Sequence, residues 1–280
     1  MVKNSRAEAG MGGADNYIEF HQVTKSFPRP EGGEQRVLDQ VSFLVPRGET
    51  VAILGRSGVG KSVTLKHIVG FLKPDRGRVL VDGQDIADFD EEQLAAIRRH
   101  MALVFQSGAL FDSLTVGENV AFPLRERALQ GEPSRRSRGD GLALQEEEIE
   151  RRVRALLETV DLEEHADLMP ADLSTGMKRA VAIARALAAE PDCILYDEPT
   201  TMVDPLMAQT ITGLILRLKE KYRKTSVVVT HDVRLAERVA DRLVMLHQGR
   251  VAFFGTPPEW QASQDPEVEA FRALDALPKG

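Results

Sequence analysis

The chain has 280 residues, 42% of them hydrophobic and 28% charged, with a formal net charge of −7. This composition excludes wholesale disorder and provides for one or two globular domains, while the acidic balance argues against a protein that wraps nucleic acid non-specifically. A single cysteine, Cys193, excludes an internal disulfide framework and fits a reducing cytosol, and six scattered histidines offer no pair at zinc-ligand spacing.

Residues 1–16 read as a flexible leader of Gly, Ala and polar residues without the apolar core of a signal peptide. Ile18, Phe20 and Val23, then Val37, Val41, Phe43 and Val45, fall at near-alternate positions and predict an antiparallel β layer over 17–50. Three short runs, 51–54, 193–196 and 226–230, are apolar, rich in β-branched residues and bounded by breakers. Their continuity suits strands buried on both faces, as in a parallel sheet covered by helices. Helical patterns at 61–71, 177–189 and 207–222 alternate with them, so an α/β core is expected. Residues 107–172 read as a small inserted helical subdomain, with a charged helix at 146–159 and a turn near 168–170. Within it, residues 131–141, with Pro133 and the basic run Arg135, Arg136 and Arg138, read as a solvated loop. Residues 257–280 read as a surface helix or tail. No run approaches the roughly 18 apolar residues that span a bilayer.

The strongest chemical signal is Gly55-Arg56-Ser57-Gly58-Val59-Gly60-Lys61-Ser62, directly after one apolar run and before a helical pattern. Glycines let the backbone curl closely around phosphate oxygens and present its N–H groups and the following helix N-terminus, which includes Val63. In this pattern Lys61 holds the β- and γ-phosphates and the Ser62 hydroxyl ligates Mg²⁺. The expected ligand is therefore a nucleotide with Mg²⁺.

Asp197 and Glu198 follow the apolar run at 193–196, at the strand edge where α/β sheets bind ligands. Read alone, they are merely a strand end. With a phosphate loop upstream, Asp197 is expected to hold Mg²⁺ through water and Glu198 to polarise the attacking water. A third element, Leu173-Ser174-Thr175-Gly176-Met177, opens a helix rich in small residues. A Ser there is an ordinary N-cap by itself, yet its hydroxyl and the free helix N–H groups also make an anion site.

Ser174 follows Gly55 by 119 positions and just precedes the Asp197-Glu198 strand. In this order the motifs resemble the ATP-binding subunits of ABC transporters, whose signature is L-S-G-G-Q. The resemblance runs from about Tyr17 to Ala273, with an ATP-binding domain over 17–256. It implies an α/β P-loop NTPase (RecA-like) core carrying an antiparallel β layer and the inserted helical subdomain. It also implies roles for further residues. Phe27 is the candidate for stacking on adenine, Gln106 for contacting Mg²⁺ and linking the subdomains, Asp204 for the D-loop, and His231 for sensing the γ-phosphate. Two copies are implied to sandwich ATP head to tail, each site combining one subunit's phosphate loop with Ser174 and Gly176 of the other. Thr175, Met177, Met202 and Val203 depart from the common pattern, which bears on the geometry of the closed dimer and its turnover.

The segment from Ser107 to Glu126 closely resembles the ATPases of MCE-type lipid transport systems, the Mla-like group. That likeness implies a subunit placed peripherally on the inner face of the cell membrane, powering lipid transport through an integral permease. An MCE-domain substrate-binding protein and a small accessory cytosolic subunit are implied as further partners. Leu110 and Phe111 are expected to line a groove for a permease helix, the alternative being that they only pack the subdomain internally. A non-transport regulator of a membrane complex, such as one controlling wall enzymes or lipoprotein release, is a weaker alternative. A soluble ATPase acting on nucleic acid or ribosomes is weaker still: 119 positions leave no room for a long coiled coil, and one phosphate loop means one cassette. No nucleic-acid partner is expected.

Overall fold

In the computed structural model, residues 15–129 and 146–276 are described; the basic run at 135–138 and residues 1–14 lie outside them. The elements follow the chain as β1 (Asn16–Pro28), β2 (Glu34–Pro46), β3 (Thr50–Leu54), α1 (Lys61–Ile68), β4 (Arg76–Val81), β5 (Gln84–Asp85), α2 (Glu91–Arg98), β6 (Met101–Val104), α3 (Val116–Leu129) and α4 (Glu146–Thr159). Then come α5 (Thr175–Ala188), β7 (Cys193–Asp197), α6 (Pro205–Tyr222), β8 (Thr225–Thr230), α7 (Val233–Val239), β9 (Arg242–His247), β10 (Arg250–Gly255), α8 (Pro257–Ala262) and α9 (Pro266–Ala276). The chain divides into two compact units, one built from the chain up to Arg98 and from Ile215 onward, the other from Arg99–Leu214.

In the first unit the expected antiparallel layer is present, in the order β2-β1-β4-β5. Alternation in β1 and β2 turns Ile18, Phe20, Val41 and Phe43 inward, and Phe20 stacks on its cross-strand partner Phe43 at 4.5 Å. On β4, facing β1, Gly77 has φ 86, and a Cβ there would lie 2.4 Å from the carbonyl oxygens of His21 and Gln22, so only glycine fits. The same unit holds strands in the order β10-β9-β3-β8, with β3 parallel to both β8 and β9. Every residue of β3 and β8 is buried, as the apolar centres of both strands, residues 51–54 and 227–229, require.

The helices at the C-terminal end belong to this unit. Thr256 and Glu259 form a capping box that starts α8. One turn on, Trp260 is fully buried, edge-on to Phe253 and Phe271, and its indole N–H donates to Glu237 at 2.9 Å. The segment from Pro257 is thus folded onto the unit through a buried aromatic cluster.

The second unit pairs β6 with β7 in parallel and covers them with helices. Cys193 opens β7 with no solvent exposure, and burial pushes its thiol pKa well up. α3 lies in the stretch expected to be helical, and it tolerates Pro123 in its interior. The charged helix appears as α4, with Ile149, Val153 and Leu157 on its buried stripe. Among the described residues, no helix is long and apolar enough to cross a membrane.

Candidate functional site

Within the first unit, β3 delivers Gly55 and β8 delivers His231 to one edge, because Leu54 pairs with Thr230 in the parallel register. His231 is exposed, and Asp232 behind it caps α7 by accepting from the Leu235 N–H at 3.1 Å. The loop from Gly55 wraps into α1 with Arg56, Ser57 and Gly58 exposed and Val59 half-buried. Gly60 sits at the turn into the helix with φ 109, and a Cβ there would come within 2.6 Å of Leu38 on β2. The antiparallel layer therefore braces the phosphate loop from behind.

No side chain among the described residues caps α1. Its first turn, Lys61, Ser62 and Val63, thus offers the helix N-terminus to an anion. Lys61 is buried and donates to the carbonyls of Gly55 at 2.8 Å and Arg56 at 3.2 Å. These bonds fold its ammonium back along the loop. Phe27 lies in the other sheet, on β1, half-buried with the Lys25 ammonium 5.8 Å from its ring centre. Unlike Phe20 and Phe43, it presents part of its ring to solvent.

Within the second unit, β6 and β7 run in parallel with Val104 opposite Tyr196. Gln106 and Glu198, each two residues further on, accordingly share one carboxyl edge with Asp197. Glu198 has φ 48, a left-handed conformation uncommon for a residue with a side chain. The Thr201 hydroxyl donates to Glu198 Oε2 at 2.9 Å, and the Thr201 N–H donates to the Glu198 carbonyl at 3.2 Å.

Ser174 is the N-cap of α5: it is exposed, and its Oγ accepts from the Met177 N–H at 3.2 Å. Gly176 is buried, and a Cβ on it would lie 2.0 Å from the Met207 sulfur. Thr175, the departure from the common signature, is exposed beside it. Asp204 caps α6, its Oδ1 accepting from the Met207 N–H at 2.9 Å.

Two buried polar residues, Arg179 and Asn119, support the site without belonging to any motif. Arg179, only 3% exposed, donates to the carbonyls of Gln106 at 3.1 Å, of Pro199 at 2.6 Å and of Thr201. Burial lowers its pKa. Asn119 is fully buried and holds the loop before α3. Helical spacing carried a signal for Arg179: it falls on the same face as Ile183 and Ala186, where a long cation needs a partner.

Within the second unit, the Gln106 amide and the Asp197 carboxylate offer hard oxygen donors of the kind Mg²⁺ takes, and within the first the Ser62 hydroxyl is of the same kind. A phosphate loop between a buried strand and a helix with no side-chain cap, and acidic residues at a parallel-strand edge, define a P-loop nucleotide-binding ATPase. Residues 38–201 match the family model described as ABC transporter, and the chain belongs to that family. It is 40% identical over 256 residues to the intermembrane phospholipid transport system ATP-binding protein MlaF of Haemophilus influenzae, covering 91% of this chain and 90% of that one. It is 38% identical to MlaF of Escherichia coli K12, covering 95% and 91%. Among solved structures it resembles the ATP-binding cassette MJ0796, described as a dimeric post-hydrolysis state bound to ADP and Pi. That match has a TM-score of 0.73 and 35% identity, covering 86% of this chain and 98% of that one. The chain is an ATP-binding, ATP-hydrolysing subunit of an ABC transporter.

Proposed function

We propose that this subunit powers the movement of phospholipid, or another hydrophobic molecule, through a separate integral permease, working as an ATP-closed homodimer on the inner face of the cell membrane. The observation that carries this reading is the near full-length similarity to two phospholipid transport ATPases. The ATP-binding domain spans 17–256, with the helical subdomain at about 107–172.

Residues 55–63 bind the phosphates, with Lys61 on the β- and γ-oxygens. Phe27 stacks on adenine, and Ser174 and Gly176 contact the nucleotide held by the opposite subunit, with Asp204 at the same interface. Ser62, Gln106 and Asp197 would hold Mg²⁺, which when bound would supply neutralisation of the phosphate charge. Glu198 orients and polarises the attacking water, and His231 senses the γ-phosphate.

Phe111 is 43% exposed, packed against Phe122 at 4.8 Å and under the Arg185 guanidinium at 5.5 Å. Half-buried Leu110 beside it extends the apolar surface. A half-exposed aromatic held in place by Phe122 and Arg185 suits a surface that receives a permease helix. An MCE-domain protein and a small accessory subunit complete the assembly in this reading.

Purification from detergent-solubilised membranes tests it. A co-purifying multi-span permease with an MCE-domain protein and bound phospholipid is the expected result; ribosomal proteins in their place would overturn it.

A further inference from the structure

We propose that Thr201 and Arg179 form a latch that positions Glu198. The inference rests on the reading of Glu198 as the residue that polarises water, and deepens it by naming what sets the carboxylate in place. Glu198 leaves the end of β7 in a left-handed conformation, φ 48, and its direction is not fixed by regular strand geometry. The Thr201 hydroxyl, 2.9 Å from Oε2, fixes the carboxylate, and the bond from Thr201 N–H to the Glu198 carbonyl closes the turn.

Arg179 holds that turn from the other side. Its guanidinium donates to the carbonyls of Pro199, which follows Glu198, of Thr201 itself, and of Gln106, the candidate Mg²⁺ contact. A planar fork reaching three carbonyls fixes their relative positions, which a single ammonium cannot do. Arg179 stands on α5, one turn beyond the capped start at Ser174. The signature helix, the Gln106 backbone and the water-polarising carboxylate are therefore tied to one buried cation. A displacement of α5 is transmitted to Glu198 through two hydrogen bonds. Both residues are positioning residues, acting through Glu198.

The test uses the purified full-length chain with Mg-ATP, measuring kcat, KM, binding of a fluorescent ATP analogue and thermal stability. Thr201→Val removes the hydroxyl and keeps the shape. It is expected to lower kcat about 10- to 100-fold with KM and analogue binding near wild type, and Thr201→Ser is expected to restore kcat. Arg179→Lys is expected to lower kcat similarly at unchanged analogue affinity; should that variant prove unstable, the Thr201 pair decides. Wild-type kcat in Thr201→Val overturns the latch. Glu198→Gln separates the two readings: if it loses turnover while Thr201→Val does not, only the latch fails. If Glu198→Gln itself turns over normally, the assignment of Glu198 fails first. In the Glu198→Gln background, Thr201→Val is expected to have no further effect on kcat.

Discussion

Asn119 and Phe111 exchange two hydrogen bonds: the Phe111 N–H donates to Asn119 Oδ1 at 2.9 Å, and Asn119 Nδ2 donates to the Phe111 carbonyl at 3.1 Å. The same amide nitrogen reaches the carbonyls of Leu114 and Thr115, so one buried side chain supplements the backbone bonds from Leu114 N–H to Phe111 and from Asn119 N–H to Thr115. The loop is thereby fixed with the Phe111 ring turned partly outward.

Asn119→Ala should take from the Phe111 N–H its side-chain acceptor and from the loop carbonyls a second donor, and cost about 1–3 kcal/mol of stability. Its effect on function should fall on permease binding and permease-stimulated ATPase, with nucleotide affinity retained. Pull-down with the permease alongside ATP-analogue titration checks the separation. Phe111→Ala should reproduce the loss of docking at little cost in stability.

Glu198→Gln should retain ATP binding and lower hydrolysis by about 10²–10⁴-fold, leaving an ATP-held dimer visible by size-exclusion chromatography. Lys61→Ala should act one step earlier, weakening nucleotide binding itself. Analogue titration of both variants distinguishes the two stages.

Gly176→Ala should drive a methyl group into the Met207 side chain, whose sulfur, Cγ and Cε all lie within 2.5 Å of the added carbon. Overpacking of this kind costs about 1–3 kcal/mol. The double variant Gly176→Ala/Met207→Ala should recover part of that loss relative to Met207→Ala alone. Calorimetric melting of the four proteins completes the cycle.

His67 carries a pH prediction. Its ring is buried in α1, with Nδ1 on the Val63 carbonyl at 2.8 Å, and burial lowers its pKa from the ordinary value of 6.5. Lys25 acts in the same direction, and Asp75 opposes it. In the window between the lowered folded value and about 6.5, the unfolded chain binds the proton and the folded chain does not. The contribution is therefore intact above pH 6.5 and lost as pH falls through the lowered value. His67→Gln should flatten this part of the stability profile, measured by thermal melts from pH 8 to pH 5.

Much of this architecture is legible without coordinates because burial writes itself into residue choice. β3, β7 and β8 each carry a continuous apolar centre, and the alternation in β1 and β2 marks a sheet with one inward face. β4 was passed over because its first three residues, Arg76, Gly77 and Arg78, hide a strand whose inward residues are only Val79 and Val81. The limits of α3 were equally hard to read, since Gly117 and Pro123 interrupt its apolar stripe. Gln106 is reached only through the family resemblance, whereas the position of Asp197 and Glu198 at a strand edge follows from the apolar run before them. The left-handed turn at Glu198 does not, because nothing in an Asp-Glu-Pro-Thr sequence specifies φ. Nor do the bonds of Arg179 and Asn119, whose partners are backbone carbonyls and carry no sequence identity.

Cys193 has a practical consequence. With no exposed surface and a thiol held in its protonated form, it should ignore maleimide reagents in the folded protein. Cysteines introduced at exposed positions, such as Leu206→Cys, can therefore take fluorophores or spin labels on an otherwise native chain. The native thiol then becomes a built-in clock for unfolding, reacting only as fast as β7 is laid open.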